Sequence, residues 1–397
     1  MDERTGLPVV GMVGAGQLAR MTHQAAVALG QSLRVLADSA DDGAALVAHD
    51  VVVGDYRSLE DLRAFAVGCD ALTFDHEHVP NAHIAALEAD GVTVHPGAAA
   101  LVFAQDKAEM RRRLSTLGVP CPRWAPIESR ADLEGFAEQG GWPVVLKAAR
   151  GGYDGKGVWV VSSLAEAEPV LASGTPLIVE EKVTIVRELA ADVARSPFGQ
   201  GAVWPVVETV QRDGICVEVL APAPDLDDET AEQAQALALR IAQELGVTGV
   251  LAVELFQTAD GLIVNELAMR PHNSAHWTIE GSLTSQFEQH LRAVLDYPLG
   301  ATDQVAPVVV MANLLGGPDD VTPKGIDERV HHCFAHWPDV KIHLYGKQFR
   351  PGRKVGHVTA LGRDLETVRR RAHEAAQYLM FGDMGLGDAS ATAARHG

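Results

Sequence analysis

The sequence predicts a protein of mixed α/β and α+β architecture that is built from more than one domain. The chain has 397 residues, which is long for one hydrophobic core, so two or three domains are expected. In the first hundred residues, short apolar runs alternate with helical patterns, as they do in a parallel sheet. Further along the chain, two neighbouring apolar runs flank a short glycine-containing loop, a pattern typical of a β-hairpin.

Composition and charge exclude several classes of protein. The hydrophobic content of 47% and charged content of 22% are those of a globular protein, while a net charge of −20 argues against binding to nucleic acid or anionic membranes. The four scattered cysteines form no CxxC pair, which predicts reduced thiols. The chain lacks an apolar stretch of transmembrane length and a signal-peptide profile, so a cytoplasmic location is expected.

The N-terminal segment begins with an apolar strand at residues 9–13 and a glycine turn, Gly14-Ala-Gly16, that opens a helix to about residue 29. Further strands are expected at 33–37, 51–53 and 71–74. Such a turn leaves backbone N–H groups at a helix N-terminus where an anion can bind. Because the third glycine of a dinucleotide fingerprint is missing, a tight turn without a ligand is an equally good interpretation.

The middle of the chain carries a glycine- and lysine-rich loop. After a helix at 103–117, a strand at 142–150 contains Lys147, and a second strand follows at 158–161. Between them lies the segment Gly151-Gly152-Tyr153-Asp154-Gly155-Lys156-Gly157. Lysines beside glycines suit a mobile flap over phosphates. The alternative is a flexible hairpin loop that binds nothing.

Two acidic features follow this loop. A strand at 177–183 contains Glu180 and Glu181, which could accept hydrogen bonds from an adenine amine or ribose hydroxyls, or could be solvated surface. After a helix at 228–244, a hairpin pairs residues 250–257 with 262–268 around the loop Ala259-Asp260-Gly261. In that register Glu254 lies opposite Glu266. Because like charges opposed on a sheet destabilise it, a cation is expected between them. The alternative is a register in which one glutamate faces solvent.

A basic cluster marks the third region, which begins after Pro298 with a strand at 308–312. Its members are Lys347, Arg350, Arg353, Lys354 and His357. In so acidic a chain, a local group of this kind suits a phosphate or carboxylate ligand. The tail after residue 385 is small and polar and is expected to be disordered.

Taken in order, these motifs resemble the ATP-grasp superfamily, and within it the N5-carboxyaminoimidazole ribonucleotide synthase family. The matching strings are Gly14-Ala-Gly-Gln-Leu18, Gly152-Tyr-Asp-Gly-Lys-Gly157, Arg187-Glu-Leu189, Val253-Glu-Leu255, Asn265-Glu266, Arg270-Pro-His-Asn-Ser274, Thr284-Ser-Gln-Phe-Glu-Gln-His290 and Gly346-Lys347 to His357. Single glycine motifs are weak signals, whereas the whole ordered series is highly specific.

The resemblance implies an ATP-grasp fold and a reaction. It implies a Rossmann-like domain at 1–104, an ATP-grasp domain at 105–300 with a mobile subdomain at about 124–184, a C-terminal domain at 301–385 and a tail at 386–397. The implied activity is an ATP-dependent carbon–nitrogen ligation, in which 5-aminoimidazole ribonucleotide is carboxylated by bicarbonate through carboxyphosphate in purine biosynthesis. Mg²⁺ or Mn²⁺, no biotin and a homodimer are also implied.

The resemblance also assigns residues to roles. The ATP contacts would be Lys107, Lys147, Gly152, Tyr153, Asp154, Gly155, Lys156, Gly157, Glu180, Glu181, Val183, Glu188, Gln211, Asn265 and Glu266. The ribonucleotide contacts would be Gln17, Leu18, Glu77, Tyr153, Asn273, Lys347, Arg353 and Lys354. The catalytic residues would be Arg270, Asn273 and Lys156, and the metal ligands Glu254 and Glu266. His272 and His276 are expected to be structural, hydrogen-bonding histidines.

Local departures and rival functions qualify this interpretation. Gln211 stands where the family commonly has a histidine beside the nucleotide, and Asp75 stands where it has glutamate. The nearest rival is a formate-dependent glycinamide ribonucleotide transformylase, which is also an ATP-grasp enzyme. A nicotinamide oxidoreductase would explain Gly14-Ala-Gly16 and Asp38 but not the paired glutamates. A non-catalytic binding module would be expected to have lost some of the carboxylates and lysines.

Overall fold

The structure is a computed structural model that describes residues 1–152, 155–317 and 325–382. Tyr153, Asp154 and the expected tail at 386–397 lie outside the described residues. The mixed α/β and α+β class is confirmed, because the described chain contains one parallel sheet and two sheets built from antiparallel pairs. The domain limits at residues 104 and 300 stay predictions.

The N-terminal segment forms a four-stranded parallel sheet in the order β3-β2-β1-β4. Its strands are β1 (Val9–Val13), β2 (Ser32–Ala37), β3 (Asp50–Val53) and β4 (Ala71–Phe74). The helices of this segment are α1 (Gln17–Ala28), α2 (Leu59–Ala66), α3 (Asn81–Ala89) and α4 (Ala98–Gln105). All five residues of β1 are buried, as its uninterrupted apolar run predicts.

The expected single helix at 103–117 is wrong. The chain instead forms two helices, α4 and α5 (Lys107–Thr116), that meet at Asp106. Asp106 adopts an extended backbone, and its carboxylate accepts hydrogen bonds from the N–H groups of Ala108 and Glu109 at 2.9 and 3.1 Å. Aspartate favours this N-cap geometry over a helix interior, so it starts a new helix here.

A second four-stranded sheet, in the order β5-β8-β6-β7, carries the lysine strand and the acidic strand. Its strands are β5 (Trp124–Ile127), β6 (Val144–Ala148), β7 (Val158–Val161) and β8 (Leu177–Glu181). Helices α6 (Arg130–Gly140) and α7 (Leu164–Leu171) pack against it. Strand β8 ends at Glu181, two residues earlier than expected.

The largest sheet runs in the order β14-β13-β9-β11-β12-β15-β17-β16, with β10 paired to β9. Its strands are β9 (Arg187–Arg195), β10 (Gly201–Val203), β11 (Val207–Arg212), β12 (Ile215–Ala221), β13 (Gly249–Thr258), β14 (Gly261–Ala268), β15 (Val308–Leu315), β16 (Lys341–Leu344) and β17 (Lys354–Gly362). The C-terminal strands β15 to β17 therefore extend the central sheet through the β12–β15 pair.

Helices cover this sheet and bury its apolar residues. They are α8 (Asp228–Glu244), α9 (Thr278–Gly281), α10 (Gln286–Val294), α11 (Ile326–His336) and α12 (Leu365–Phe381). Helix α8 has the limits that the sequence predicts, and the Asp227 carboxylate caps its first turn. Among the described residues, no helix is long and apolar enough to cross a membrane.

Candidate active site

A cleft of about 1120 Å³ lies where the three sheets approach one another. The β5–β8 sheet contributes Lys147 and Glu180 to one wall, and the central sheet contributes Glu254 and Glu266 to the other. The glycine turn before α1 and the basic segment before β17 close its end. Every predicted site residue that the structure describes lines this cleft, with the exception of Gly157.

The register of the β13–β14 hairpin places Glu254 opposite Glu266, as the sequence predicts, but by another route. The expected three-residue loop is wrong, because Gly261 pairs with Thr258 and leaves a two-residue loop. The ladder then shifts by one residue between Glu254 and Leu255, so Asn265 is the extra residue of a bulge. The shorter loop and the bulge compensate for each other, which restores the Glu254–Glu266 pair.

The bulge also determines which side chains enter the cleft. Successive residues of a regular strand point to opposite faces, whereas Asn265 and Glu266 both line the same cleft. The Asn265 amide oxygen accepts a hydrogen bond from Lys147 Nζ at 2.9 Å, and its Nδ2 donates to Glu254 at 3.3 Å. Asn265 therefore bridges the two sheets.

A buried ion-pair network lies at the cleft wall that the β5–β8 sheet forms. Glu180 is 2% exposed, with one carboxylate oxygen 2.7 Å from Lys147 Nζ and the other 2.7 Å from Arg111 Nε. Burial alone would raise the pKa of Glu180, but Lys147 and Arg111 hold it below its usual value. Burial lowers the pKa of Lys147, and Glu180 opposes that change. The alternative that Glu180 is solvated surface is thereby wrong.

Arg111 is a site residue that the sequence did not reveal. It is fully buried and donates to the backbone carbonyls of Val264 and Asn265 at 3.0 and 2.8 Å, in addition to Glu180. In the sequence it is the first of three consecutive arginines, Arg111-Arg112-Arg113, and nothing in the local pattern distinguishes it from the other two. Removing one partner from such a buried network costs about 3–5 kcal/mol.

The two paired glutamates lie in different electrostatic surroundings. Burial, followed by the charges of Glu266 and Glu188, raises the pKa of Glu254 to about 7. The Glu266 carboxylate contacts Nζ of Lys107, which is the first residue of α5. Excess negative charge at this place fits a divalent cation, and carboxylate with amide oxygen suits Mg²⁺. No group of three or more His, Cys, Asp or Glu side chains that could hold a metal occurs in the described ranges, so further ligands would have to come from phosphate and water.

Arg270 and Asn273, both expected to be catalytic, lie at the other end of the carboxylate pair. Arg270 Nε donates to the Glu77 carboxylate at 2.8 Å, which ties the loop after β14 to the loop after β4. Asn273 is 8% exposed, and both polar atoms of its amide are buried without a hydrogen-bond partner. A buried amide with this unused capacity at a cleft is suited to a polar ligand.

The N-terminus of α1 is not available to an anion, in contrast to one interpretation of the glycine turn. The Asp75 carboxylate accepts hydrogen bonds from the N–H groups of Gly16 and Ala19 at 2.5 and 3.0 Å. A side-chain anion thus occupies the positive end of the helix. Gln17 instead presents its amide, whose oxygen lies 2.5 Å from Lys347 Nζ, while Leu18 is buried at 6% exposure.

The basic segment before β17 divides into a rim and an interior. Arg353 Nη1 donates to the Gln348 carbonyl at 3.3 Å, at the exposed edge of the cleft. Lys354, the first residue of β17, also lines the cleft. Burial lowers the pKa values of His272 and His276, and the charge of Lys354 lowers them further. The two adjacent cations therefore serve different parts of one cleft.

The glycine loop reaches across to the central sheet. Gly155 has a φ of 72°, and a Cβ atom there would lie 3.1 Å from the Cα of Gly214. Gly214 belongs to the two-residue turn Asp213-Gly214 between β11 and β12, in which both residues have positive φ. The Asp-Gly pair is a hairpin signal that the sequence contains. Strands β11 and β12 were nevertheless not among those expected from the sequence.

The remaining ATP-site candidates line the same cleft. Glu181, the last residue of β8, accepts a hydrogen bond from the Arg123 backbone N–H at 2.7 Å, and Val183 lies two residues after the strand ends. Glu188 is the second residue of β9, and burial raises the pKa of its carboxyl group. Gln211 lies on β11 opposite Cys216, where the β11–β12 ladder shifts register. Lys156 and Gly152 also belong to the lining. The individual roles of all these residues stay predictions.

Comparison with known families covers most of the chain. Residues 7–105 match the ribonucleotide synthetase preATP-grasp domain, and residues 112–287 match the ATP-grasp domain. Residues 309–371 match the phosphoribosylaminoimidazole carboxylase C-terminal domain. These matches confirm the predicted fold, an ATP-grasp core with an N-terminal and a C-terminal domain.

Individual relatives agree with these matches. N5-carboxyaminoimidazole ribonucleotide synthase from Mycobacterium tuberculosis is 60% identical over 380 residues, covering 94% of this chain and 88% of the relative. The enzyme of the same name from Corynebacterium ammoniagenes is 52% identical, covering 94% and 92%. A crystal structure of N5-carboxyaminoimidazole synthase from Aspergillus clavatus with ADP and 5-aminoimidazole ribonucleotide is 31% identical, with a TM-score of 0.85 and coverage of 94% and 98%. The chain therefore belongs to the N5-carboxyaminoimidazole ribonucleotide synthase family of ATP-grasp ligases.

Proposed function

We propose that this protein carboxylates 5-aminoimidazole ribonucleotide at its 5-amino group, using ATP and bicarbonate, in purine biosynthesis. The observation that carries the proposal is a single cleft with three chemically distinct parts. Buried lysine on one wall suits ATP phosphates, the paired glutamates lie in the middle, and a basic segment lies at the far end. ATP and a phosphorylated substrate can therefore meet at the carboxylates.

On the ATP side, Lys107 and Lys147 would neutralise phosphate charge, and Glu180 with Arg111 would hold Lys147 in place. Lys156 and the glycine loop would cover the phosphates from above. Glu181, Val183, Glu188 and Gln211 would surround the adenosine. The contact of Gly155 with Gly214 supports this assignment, because it encloses the space between the two sheets. Exclusion of water strengthens every charge interaction inside.

The first chemical step joins bicarbonate to phosphate. A bicarbonate oxygen attacks the γ-phosphorus of ATP, the bond to the β–γ bridging oxygen breaks, ADP leaves and carboxyphosphate forms. Arg270 and Asn273 are the groups proposed to hold bicarbonate, since the Asn273 amide is buried and unpartnered beside the carboxylates. A cation held by Glu254 and Glu266, Mg²⁺ or Mn²⁺, would neutralise the phosphate oxygens.

The second step transfers the carboxyl group. The carbon–oxygen bond of carboxyphosphate breaks, which releases phosphate and CO₂ in the site, and the 5-amino nitrogen then forms a bond with the CO₂ carbon and loses one proton. Lys354 lies near this centre, whereas Lys347, Arg353, Gln17 and Glu77 are placed to hold the ribonucleotide. Because carboxyphosphate hydrolyses readily, the enclosing loop has a chemical purpose.

Other aspects of the proposal rest on the family resemblance alone. They are a homodimer and a reaction that uses no biotin, whereas the proposed cytoplasmic location rests on the sequence pattern. The net charge of −20 supports the further expectation that neither nucleic acid nor an anionic membrane surface is a partner.

One assay tests the function directly. ADP release is measured with 5-aminoimidazole ribonucleotide plus bicarbonate and, in parallel, with glycinamide ribonucleotide plus formate. We expect rapid release only in the first mixture, with ¹⁴C from bicarbonate in the product. Rapid release only in the second mixture would show a formate-dependent transformylase instead.

A further inference from the structure

An aspartate lies buried in the central sheet without a cation beside it. Asp192 is on β9, 1% exposed, and its neighbours along the strand, Ala191 and Val193, are fully buried and apolar. No ion pair to Asp192 exists within the described part of the chain. Both carboxylate oxygens contact the same atom, the hydroxyl oxygen of Ser274, at 2.9 and 3.0 Å. The proposed reaction gives this costly group no role.

Ser274 connects the aspartate to a histidine at the cleft. The Ser274 hydroxyl oxygen is 2.9 Å from His272 Nδ1, and the Ser274 backbone N–H donates to the same nitrogen at 3.3 Å. The other ring nitrogen, Nε2, lies 3.4 Å from a carboxylate oxygen of Glu254. The four side chains thus form a continuous polar row from the middle of the sheet to the carboxylate pair.

The positions of the protons determine which groups in this row donate hydrogen bonds and which accept them. A backbone N–H is always a donor, so it requires an accepting Nδ1 on His272 and leaves the ring proton on Nε2, facing Glu254. The Ser274 hydroxyl reinforces this state when it also donates to Nδ1. The hydroxyl has a single proton, which it donates to the Asp192 carboxylate when that group is ionised. When Asp192 is protonated, it can donate to the hydroxyl oxygen instead and leave the hydroxyl proton for Nδ1.

We propose that Ser274, anchored by Asp192, is a positioning residue that directs the Nε2–H of His272 at the Glu254 carboxylate. This inference rests on the proposed function, in which Glu254 is a ligand of the divalent cation. Carboxylate ligands of metals are themselves held by hydrogen bonds from an outer shell, and losing such support typically costs about 10–100-fold in metal affinity or activity. Asn265 Nδ2 donates one such bond to Glu254, and His272 Nε2, 3.4 Å from the carboxylate, is placed to supply a second.

The test combines a spectroscopic and a kinetic measurement on the full chain. Ring ¹⁵N resonances of His272 are recorded without metal or substrate, with the assignment made from His272→Gln. Ser274→Ala should move the Nδ1 resonance, because the Ser274 hydroxyl no longer contacts that nitrogen. The same variant should raise the Mg²⁺ concentration for half-maximal ATP turnover about tenfold, while the KM for the ribonucleotide changes less than twofold.

Ser282→Ala is the matched control, since Ser282 is also buried and its hydroxyl makes one hydrogen bond, to the Thr302 carbonyl. It should alter neither the His272 resonances nor the Mg²⁺ requirement. Asp192→Asn keeps a group that can contact the Ser274 hydroxyl and should remain close to wild type in both readouts. If Ser274→Ala does not fold, Asp192→Ala takes its place and should move the same resonance.

Unchanged His272 resonances and an unchanged Mg²⁺ requirement in Ser274→Ala, or in Asp192→Ala if it is used instead, would overturn the inference. So would equal effects from Ser282→Ala. Failure of the proposed function is a separate result, because the ring resonances are read without any substrate, whereas the identity of the reaction is read only from the bicarbonate and formate assays.

Discussion

At the scale of single residues, the pairing of Glu254 with Glu266 places the strongest electrostatic demand on the cleft. Burial and the neighbouring Glu266 charge raise the pKa of Glu254, and Lys107 contacts only the other carboxylate. Two opposed carboxylates on adjacent strands are unfavourable unless a cation lies near both. The site therefore keeps a local instability that a bound cation relieves.

Glu266→Gln should separate cation binding from folding. The substitution removes one of two charges, so ATP turnover should fall by orders of magnitude and the stabilisation of the protein by Mg-ATP should disappear. Melting without ligand should change little, because relief of the repulsion offsets loss of the Lys107 contact. Thermal melting with and without Mg-ATP measures both. Asp260→Asn, at the exposed tip of the same hairpin, is the control, and equal Mg-ATP shifts in Glu266→Gln and wild type would contradict the assignment.

Asp192 predicts a pH dependence of stability. Burial raises the pKa of Asp192 from 3.8 to about 7, so the folded chain binds more protons than the unfolded chain between these values. Its contribution to the free energy of unfolding is therefore fully present below about pH 4 and is lost as the pH rises through 7. Asp192→Asn cannot ionise, so its free energy of unfolding relative to wild type should rise by about 4 kcal/mol between pH 4 and pH 8. Urea unfolding at several pH values measures this gain, and parallel curves would refute it.

Gln211 tests the one departure that lies beside the expected nucleotide. Glutamine and histidine can both donate and accept hydrogen bonds, so Gln211→His should leave turnover within about tenfold, or about 1.4 kcal/mol. Steady-state kinetics with ATP as the varied substrate measures the effect. A thousandfold loss would mean that this part of β11 differs from the family.

At the scale of elements, the glycine loop and the β11–β12 turn act as a pair. Gly155 and Gly214 approach so closely that a side chain on Gly155 would lie against the Gly214 backbone. The loop thus depends on glycine at this position for contact with the opposite sheet as well as for its positive φ. Closure over the phosphates requires both properties.

Gly155→Ala and Gly151→Ala separate these two properties. Both glycines have positive φ, at 72° and 78°, so each substitution costs about 1–2 kcal/mol in local backbone energy. Only at Gly155 would the new Cβ meet another segment, because the space around Gly151 is open. Gly155→Ala should therefore lower kcat/KM for ATP about tenfold more than Gly151→Ala and raise the ADP formed per carboxylated product. Equal effects would show that the contact with Gly214 is unimportant.

At the scale of the whole molecule, the cleft draws on all three parts of the chain. Lys347 reaches Gln17 across 330 positions, and Arg270 reaches Glu77 across 193. In the proposed function, the nucleotide and the ribonucleotide bind to separate surfaces of this one cleft. Substitutions on each side should affect one substrate and spare the other.

Arg353→Ala probes the ribonucleotide side. A charge-assisted contact with a phosphate is worth about 1.5–3 kcal/mol, so the KM for 5-aminoimidazole ribonucleotide should rise at least about tenfold while the KM for ATP stays near wild type. Arg363→Ala, directly after the end of β17 and outside the cleft lining, is the control. If Arg353→Ala instead raises the KM for ATP and leaves the KM for the ribonucleotide unchanged, the basic cluster belongs to the nucleotide site.

By itself the sequence determined the features that depend on local pattern. Apolar runs and glycine turns located the strands of the first sheet, the helical pattern at 228–244 gave the limits of α8, and the motif order indicated the family. It also paired Glu254 with Glu266, although through a loop and a bulge whose effects compensate. Only the tertiary structure decided which polar groups are buried and which partners they contact. Arg111 with Glu180, Asp75 on the N-terminus of α1, and Asp192 with Ser274 are contacts between residues 59 to 82 positions apart. Such contacts form because the packed sheets leave these groups no water to bind, and no local pattern in the chain records that constraint.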